Sequence, residues 1–460
     1  MYLNQIDKLA RRAFLKRAGT LGLAGVAAPW AMNLASISDA AAFSATDYKA
    51  LVCVFLYGGN DFANTIIPFD SVNYAKYNAI RTGLQIPQAS LAATALTPNT
   101  PLPGGMQLAL APALSPLKSL FDAGKLAVQL NVGPLIQPTT LAQYTANAVP
   151  LPPKLFSHND QQSVWQSSSP EGSTVGWGGR LGDLALSNNT NASFTCMSVA
   201  GNAVYLAGQT AIPYDVGTLG PVAINGVISD VYGSTACGAA MKSLMTQSRS
   251  QMLENEYNKV TSRSISSQST VSSAFIGASP FAQTFTSTNS LAAQLQAVAK
   301  IIAARANFGA KRQVFMVSLT GFDTHDFLMS QHVPLLSKVA DAMSSFYTAT
   351  QQLGISDKVT TFTASEFGRT YASNGDGSDH GWGSHHLVMG GAVNGKNFYG
   401  TAPEISVTGS DQVGQGRLLP TTSVDQFAAT LASWFGVAAS DLSLVVPNIN
   451  NYSVKNMGFV

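Results

Sequence analysis

Charged residues are scarce in this sequence. Asp, Glu, Lys and Arg make up only 11% of its 460 residues, whereas soluble proteins usually contain about a quarter. Ser, Thr, Asn, Gln and Gly take their place, a composition common in exported bacterial proteins. The sequence also has no cluster of Lys and Arg of the kind that binds a phosphate backbone. We therefore expect no nucleic-acid partner.

Cysteine is rarer still, with only Cys53, Cys196 and Cys237 in the chain. Three cysteines are too few for a disulfide framework, and there is no C-x-x-C pattern for a metal. Cys53 lies in an apolar run, which predicts a buried side chain. The sequence leaves open whether Cys196 and Cys237 pair in an oxidising compartment. A P-loop, a G-x-G-x-x-G motif and internal repeats are also lacking.

The N-terminus carries an export pattern. Paired arginines open the stretch "RRAFLKRAG" at residues 11–19, an uncharged segment follows at 18–38, and Ala40 and Ala42 form an A-x-A cleavage site. We predict a twin-arginine signal over residues 1–42, recognised by the twin-arginine translocase, and a periplasmic or secreted mature protein. Cleavage changes the formal charge from +2 to −1. The alternative is a retained membrane anchor, which Pro29 and several glycines disfavour.

Apolar runs of strand length alternate with helical patterns along the rest of the chain. We predict strands at 50–56, 125–132, 312–319, 358–364 and 387–393, and helices at 113–124, 331–353 and 423–436. This alternation predicts an α/β protein, with a mainly parallel central sheet covered on both faces. In such sheets ligands bind at the carboxyl ends of the strands.

Residues 184–290 differ from the flanking sequence because Ser, Thr, Ala, Asn and Gly dominate. The stretch 262–275 is close to low complexity, and one helix is predicted over 238–260. We interpret 184–290 as an insertion or cap on a single α/β domain spanning 43–460.

Three polar clusters follow predicted strands, and a fourth lies in the loop that ends at another predicted strand. They contain Asp61, Asp323 with His325, Glu366 with Arg369, and the loop "GSDHGWGSHH" at 377–386, which holds His380, His385 and His386. Carboxylates and imidazoles that meet at one sheet edge repel or are costly to desolvate unless a cation joins them. Mixed oxygen and nitrogen ligands suit Zn²⁺, Mn²⁺ or Fe, whereas Ca²⁺ or Mg²⁺ needs mostly oxygens.

Each cluster also has a structural explanation. An Asp after a strand often caps a helix or forms a turn, and Glu366 is placed to pair with Arg369. His332, on the 331–353 helix, is interpreted as structural. Together, four clusters at successive strand ends favour a divalent metal site.

Several blocks resemble the exported bacterial family DUF1501. They are "LVCVFLYGGNDFANTIIPFD", "GFDTHDF", "SEFGRTYASNGDGSDHGWGSHHLVMGGAVNGKNFYG" and "GRLLPTTSVDQFAATLASWFG". The family is assigned to the alkaline phosphatase and sulfatase-like superfamily. The resemblance implies a three-layer α/β/α sandwich, one or two metal ions at the strand ends, and a co-encoded exported partner protein.

The resemblance also implies a ligand set. Asp61, Asp323, Glu366 and a loop histidine correspond to the superfamily ligands; His380 is favoured, His385 is second, and His386 is expected to pack at the strand start. Two positions depart from the pattern. Phe327 stands four residues after Asp323, where a histidine is usual, although His325 lies nearby. Phe367 replaces the histidine that should follow the Glu366 position.

A nucleophile of this superfamily lies at a helix N-terminus, where the free N–H groups hold an anion. Ser157 and Thr65 are the candidates, Ser157 alternatively being a simple helix cap, and Arg369 is the candidate anion ligand. We thus expect a metal-dependent hydrolase of phosphate or sulfate esters, acting on a small-molecule or polymer ester. The alternative is a non-catalytic periplasmic binding or assembly protein with a degraded metal site.

Overall fold

The computed structural model of the protein describes residues 44–228, 230–276, 281 and 284–460. The predicted twin-arginine signal at 1–42 lies outside these ranges. Within them, no helix is both long enough and apolar enough to cross a bilayer.

A central sheet forms the middle layer. Its strands are β1 (Lys49–Tyr57), β4 (Leu126–Gly133), β5 (Cys196–Ser198), β6 (Tyr214–Asp215), β7 (Arg312–Thr320), β8 (Val359–Ala364), β9 (Ser384–Gly390), β10 (Phe398–Tyr399) and β11 (Thr422–Ser423). They lie in the order β10-β4-β9-β8-β1-β7-β5-β6, and β11 also pairs with β4. A separate antiparallel pair consists of β2 (Ile66–Pro68) and β3 (Leu108–Leu110).

Twelve α-helices are described. They are α1 (Ser71–Ile80), α2 (Ser115–Asp122), α3 (Leu141–Thr145), α4 (His158–Ser167), α5 (Trp177–Ala185), α6 (Asn225–Ile228), α7 (Thr235–Thr246), α8 (Met252–Phe275), α9 (Ser290–Ala303), α10 (Leu328–Gln352), α11 (Val424–Phe435) and α12 (Leu442–Val445). Several begin at the caps that their sequences predict. Ser423 and Gln426, for example, form a reciprocal capping box at the start of α11.

The two faces of β1 belong to different cores. Val52 and Val54 pack with the layer that contains α9 and α10, whereas Cys53 and Phe55 pack with the layer that contains α5 and α11. Since successive side chains of a strand point to opposite faces, a strand buried on both must be apolar throughout. The predicted α/β fold with a mainly parallel sheet between two helical layers is confirmed.

One strand runs against the others. β9 pairs antiparallel with both β4 and β8, whereas β1 pairs parallel with β7 and β8. β9 also begins at Ser384, three residues before the predicted strand. Its first residue therefore lies at the same sheet edge as the carboxyl ends of β1, β7 and β8.

The segment 184–290 departs from its prediction in detail. The single helix predicted over 238–260 is wrong, because α7 and α8 are separate helices joined by residues 247–251. Asn258 of α8 donates its side-chain amide to the carbonyl oxygen of Gln247 at 2.7 Å, which satisfies the end of α7. The near-low-complexity stretch forms the second half of α8. β5 and β6, from the same segment, extend the central sheet.

The three cysteines are free thiols. Cys53 is buried, as predicted, and Cys196 is buried as well, whereas Cys237 is exposed on α7. Cys196 and Cys237 are therefore not joined.

Candidate metal centre

The carboxyl edge of the sheet gathers the polar residues. Asp323 lies three residues after β7, and Glu366 lies two residues after β8. The loop that carries His380 enters the same edge because β9 is antiparallel. Adjacent strands of one sheet thus bring side chains together from segments far apart in the sequence.

Asp323 is the centre of the cluster. Its Oδ2 lies 3.3 Å from His158 Nε2, and its Oδ1 lies 3.1 Å from His325 Nε2 and 3.2 Å from His380 Nε2. One ligand atom from each of His158, Asp323 and His380 lies within 4.8 Å of the others. His325 Nε2 is also only 2.8 Å from His380 Nε2. Four potential metal-ligand atoms therefore face one small volume.

The outer nitrogens of the imidazoles have their own partners. His380 Nδ1 donates to the carbonyl oxygen of Phe156 at 2.7 Å. Because a carbonyl only accepts, this bond places the proton on Nδ1 and leaves the Nε2 lone pair available. His158 Nδ1 lies 2.9 Å from Glu366 Oε1, and His325 Nδ1 lies 3.4 Å from Asp379 Oδ1. Histidines that bind metals usually have such an outer partner, which fixes the tautomer.

Arg369 fixes the orientation of the Asp323 carboxylate. Its guanidinium is fully buried, and Nη1 donates to Asp323 Oδ1 at 2.9 Å and to the carbonyl oxygen of Gly58 at 3.0 Å. Nε donates to the carbonyl oxygen of Ser378 at 3.1 Å. Partial burial by itself raises the pKa of Asp323, but the hydrogen bond and charge of Arg369 outweigh it and lower that pKa. Arg369, predicted as an anion ligand, thus has partners within the protein.

Glu366 lies behind His158. It is buried, and its Oε1 accepts both from the backbone N–H of Gly58 at 2.8 Å and from His158. The hydrogen bond to Glu366 raises the pKa of His158, whereas burial lowers the pKa of His380. Glu366 was predicted as a direct metal ligand; the structure places its carboxylate against the outer nitrogen of His158.

Asp61 is not brought into the cluster. Its buried carboxylate pairs with Arg81, and Oδ1 has no hydrogen-bond partner. Thr65, the candidate nucleophile in the same turn, is buried and donates its hydroxyl to the carbonyl oxygen of Asp61 at 2.7 Å. Asp61 and Thr65 thus make buried contacts within the protein at the turn after β1.

Two loop histidines and His332 also lie outside the cluster. His385 is buried, and its Nδ1 accepts from the backbone N–H of Asn131 at 3.1 Å. His386 packs its ring at 5.9 Å from that of Trp165. His332 donates from Nε2 to Asn60 Oδ1 at 3.0 Å. Burial lowers the pKa of His385 to about 4 and that of His386 to about 3, so both imidazoles are neutral.

Phe367 occupies the position where the resemblance expects a histidine. Its ring lies 4.9 Å from the ring of His158 and 4.7 Å from that of His380. A Cβ on Gly59 would lie only 2.2 Å from the Phe367 ring, so glycine is needed there. Phe367 therefore forms a packed apolar wall against two of the clustered histidines.

Ser157 stands at the N-cap position of α4, directly before His158. Its hydroxyl donates to Asp160 Oδ2 at 2.8 Å and makes no capping bond to the helix backbone. The interpretation of Ser157 as a simple cap is thus not supported by its hydrogen bonding.

His158 is the residue that sequence reasoning missed. The chain has only six histidines, and this one stands in the first turn of a helix, next to a residue already singled out. The rarity of histidine was the available signal, but the strand-end rule gave no reason to include a helix.

Comparisons with known proteins agree with the family resemblance. The family "Protein of unknown function (DUF1501)" matches residues 48–443. No curated protein matches the sequence. Among solved structures, the lipoteichoic acid synthase LtaP from Listeria monocytogenes is similar, with a TM-score of 0.37, 9% identity, and coverage of 89% of this chain and 76% of that one.

A second structure is similar to the same extent. Ps i-CgsB in complex with k-i-k-neocarrahexaose has a TM-score of 0.36 and 10% identity, and the match covers 87% of this chain and 74% of that one. Scores this low identify neither activity nor ligand. The family match extends over most of the chain, and the protein belongs to the DUF1501 family.

Proposed function

We propose that the protein is an exported metal-dependent hydrolase of phosphate or sulfate esters. The observation that carries the proposal is the convergence of three imidazole Nε2 atoms on the carboxylate of Asp323. His158, Asp323 and His380 would hold the metal, with His325 as a fourth ligand.

The donor set fits a transition metal. Three nitrogens and one carboxylate suit Zn²⁺ or Mn²⁺ better than Ca²⁺ or Mg²⁺, which prefer oxygen ligands. The outer hydrogen bonds of His158 and His380 agree with this choice, because they fix each ring with Nε2 pointing inward. The Asp323 side chain is 44% exposed, so the centre is open to a substrate.

A bound metal of this kind polarises an ester oxygen and stabilises the developing negative charge. The chain itself supplies the positions of the other groups. Ser157 is the better placed hydroxyl, since it adjoins His158 and since it donates a hydrogen bond to the Asp160 carboxylate. Phe367 limits the access of water to the imidazoles from one side.

The place of action follows from the sequence. Arg11 and Arg12 before an uncharged stretch support export by the twin-arginine translocase to the periplasm or beyond. We propose a small-molecule or polymer ester as substrate, and a co-encoded exported protein as partner.

A non-catalytic periplasmic binding or assembly protein with a degraded metal site is the second candidate. It is favoured by Arg369, whose guanidinium is directed to Asp323, Gly58 and Ser378 and not to an open anion site. The buried Thr65 hydroxyl supports the same view.

Metal analysis of the protein purified from the periplasm tests both candidates. About one equivalent of Zn or Mn, with hydrolysis of 4-nitrophenyl phosphate, bis(4-nitrophenyl) phosphate or 4-nitrophenyl sulfate, supports the enzyme. Bound metal without turnover of any of these esters favours the binding protein. Absence of stoichiometric metal, even after incubation with Zn²⁺ and Mn²⁺, contradicts the hydrolase and favours the binding or assembly protein.

A further inference from the structure

The helical pair α7 and α8 exposes an unusual amount of apolar surface. Of the seventeen strongly exposed large apolar side chains in the described ranges, six lie on these two helices, and six more lie elsewhere within residues 212–276. On α8, Leu253 is 56% exposed, Tyr257 is 68% exposed and Val260 is 48% exposed. An exposed patch of this kind usually marks an interaction surface.

These side chains form one stripe with coiled-coil spacing. Leu253, Tyr257, Val260, Ser264, Ser267 and Val271 follow one another at alternating steps of four and three residues, the spacing of heptad a and d positions. The second half of the stripe is covered, since Ser267 and Val271 are buried against the body of the protein. Among the described residues, no element covers the first half, from Leu253 to Val260.

The charges beside the stripe select the orientation of a partner helix. In this heptad assignment Tyr257 and Ser264 are a positions. Glu256 and Arg263 directly precede them and thus occupy successive g positions on the same flank. In a two-fold antiparallel pair of helices, g positions face g positions, so the acidic g residue of one helix meets the basic g residue of the other. Within one chain their contact is loose, at 3.5 Å between Arg263 Nη2 and Glu256 Oε1, and both are exposed.

The surface of α8 has a groove at the place where the antiparallel pairing would put Leu253 of the second copy. With Glu256 opposite Arg263, Leu253 of one copy falls opposite residues 264–267 of the other. There a cavity of about 330 Å³ is lined by Val260, Ser264 and Ser267 of α8, and by Ile212 and Tyr214 at the edge of the sheet. This cavity can receive an apolar side chain from a second α8.

We propose that the protein forms a two-fold symmetric dimer in which the α8 helices of two copies pair antiparallel through Leu253, Tyr257 and Val260. The g-position charges of Glu256 and Arg263 fix the orientation. The proposal is independent of the metal centre, which lies at the carboxyl edge of the sheet.

Sedimentation velocity of the full protein over about 1–100 μM tests the dimer, with reductant present so that the exposed Cys237 makes no covalent link. We expect a concentration-dependent dimer for the wild type. Leu253→Asp with Tyr257→Asp should leave a monomer, and Val72→Asp, at a site 66% exposed on α1, should leave the dimer unchanged. Circular dichroism confirms that each variant is folded.

Charge exchange tests the orientation. Glu256→Arg and Arg263→Glu should each weaken the dimer about tenfold, because each places like charges opposite one another twice in the dimer. The double variant should restore the wild-type dissociation constant within about threefold. A wild type that stays monomeric at 100 μM overturns the proposal. If such a monomer binds phosphatidylglycerol vesicles through α8, the stripe contacts a lipid surface and not a second copy. A dimer that survives the stripe variant, or a double variant as weak as the single ones, overturns it as well.

Discussion

The Nδ1 atom of His380 donates to the carbonyl oxygen of Phe156 at 2.7 Å. This single bond determines the chemistry of the ring, because the proton on Nδ1 leaves Nε2 as a lone-pair donor directed at Asp323. It also ties the histidine loop to the residues just before α4, which carries His158. One hydrogen bond thus joins the loop that carries one clustered histidine, His380, to the segment just before the other, His158.

Replacement of Asp323 by Ala should abolish metal binding. All three imidazoles face this carboxylate with their Nε2 atoms, whereas the carboxylates of Glu366 and Asp379 contact only outer Nδ1 atoms. In the wild type, metal at 100 times its dissociation constant should raise the free energy of unfolding by about 2.7 kcal/mol. Metal analysis and thermal unfolding with and without Zn²⁺ measure both effects.

Asp326→Ala is the matched control for that variant, since Asp326 is an exposed carboxylate on the same loop. It should keep the metal and the stabilisation. Equal metal loss in both variants, or none in either, would rule out Asp323 as a ligand.

Ser157→Ala should lower kcat/KM for the best ester by about 10³-fold with the metal content unchanged, if Ser157 is the nucleophile. Thr65→Ala should keep kcat and lose about 1 kcal/mol of stability, because its hydroxyl bonds the carbonyl oxygen of Asp61 within a turn. Steady-state kinetics and urea unfolding separate these effects. The reverse outcome, with Thr65→Ala inactive and Ser157→Ala active, would transfer the role to Thr65.

Gly58→Ala should damage both stability and the centre. Gly58 has φ +117°, and an added Cβ would lie 2.3 Å from the backbone nitrogen of Asp323. Gly172, with φ +93°, has nothing within 4 Å of its Cβ position. Gly172→Ala should cost about 1–2 kcal/mol from the conformation alone, and Gly58→Ala about 3 kcal/mol or more. Urea unfolding and metal titration of both variants provide the comparison. If both variants lose the same free energy of unfolding, the backbone has moved to remove the contact between the new Cβ and the Asp323 nitrogen.

Asp425 should make stability depend on pH in a direction opposite to most carboxylates. Burial raises its pKa to about 6, although Asn448 and Ser168 donate hydrogen bonds to it. The folded state therefore binds the extra proton between about pH 4 and pH 6, and this contribution to stability is lost as the pH rises through that window. The unfolding free energy of the wild type relative to Asp425→Asn should fall by up to about 3 kcal/mol from pH 4 to pH 7. A difference that is constant with pH contradicts the assignment.

The sequence predicted the frame of the molecule well because its strands are strongly apolar. β1, β4, β7 and β8 lie where the apolar runs placed them, since a strand buried on both faces leaves an unbroken run. An apolar run has no direction, however, and so the reversal of β9 was not predictable. The break between α7 and α8 was missed because residues 247–251 contain neither Gly nor Pro.

The candidate site was predicted where the strand-end rule applies. It indicated Asp323 and His380, which the structure brings together, but it also indicated Asp61, whose direction depends on the left-handed conformations of Gly58 and Gly59. His158 was missed because its partner Glu366 is 208 residues away. Sequence periodicity describes neighbours within an element and carries no information about such distant pairs.

Because β9 runs antiparallel, the loop before it must reach the carboxyl edge of the sheet before the candidate metal centre is complete. The centre therefore depends on the completion of folding. His158, Asp323 and His380 meet only when α4, β7 and the loop before β9 are all docked on one sheet edge, and no contiguous fragment shorter than 158–380 contains the three. Contacts of such long sequence separation form late, after the cost of closing large loops has been met. A metal ion that binds this centre would therefore select fully assembled molecules over partly folded ones, and its occupancy would serve as a measure of maturation.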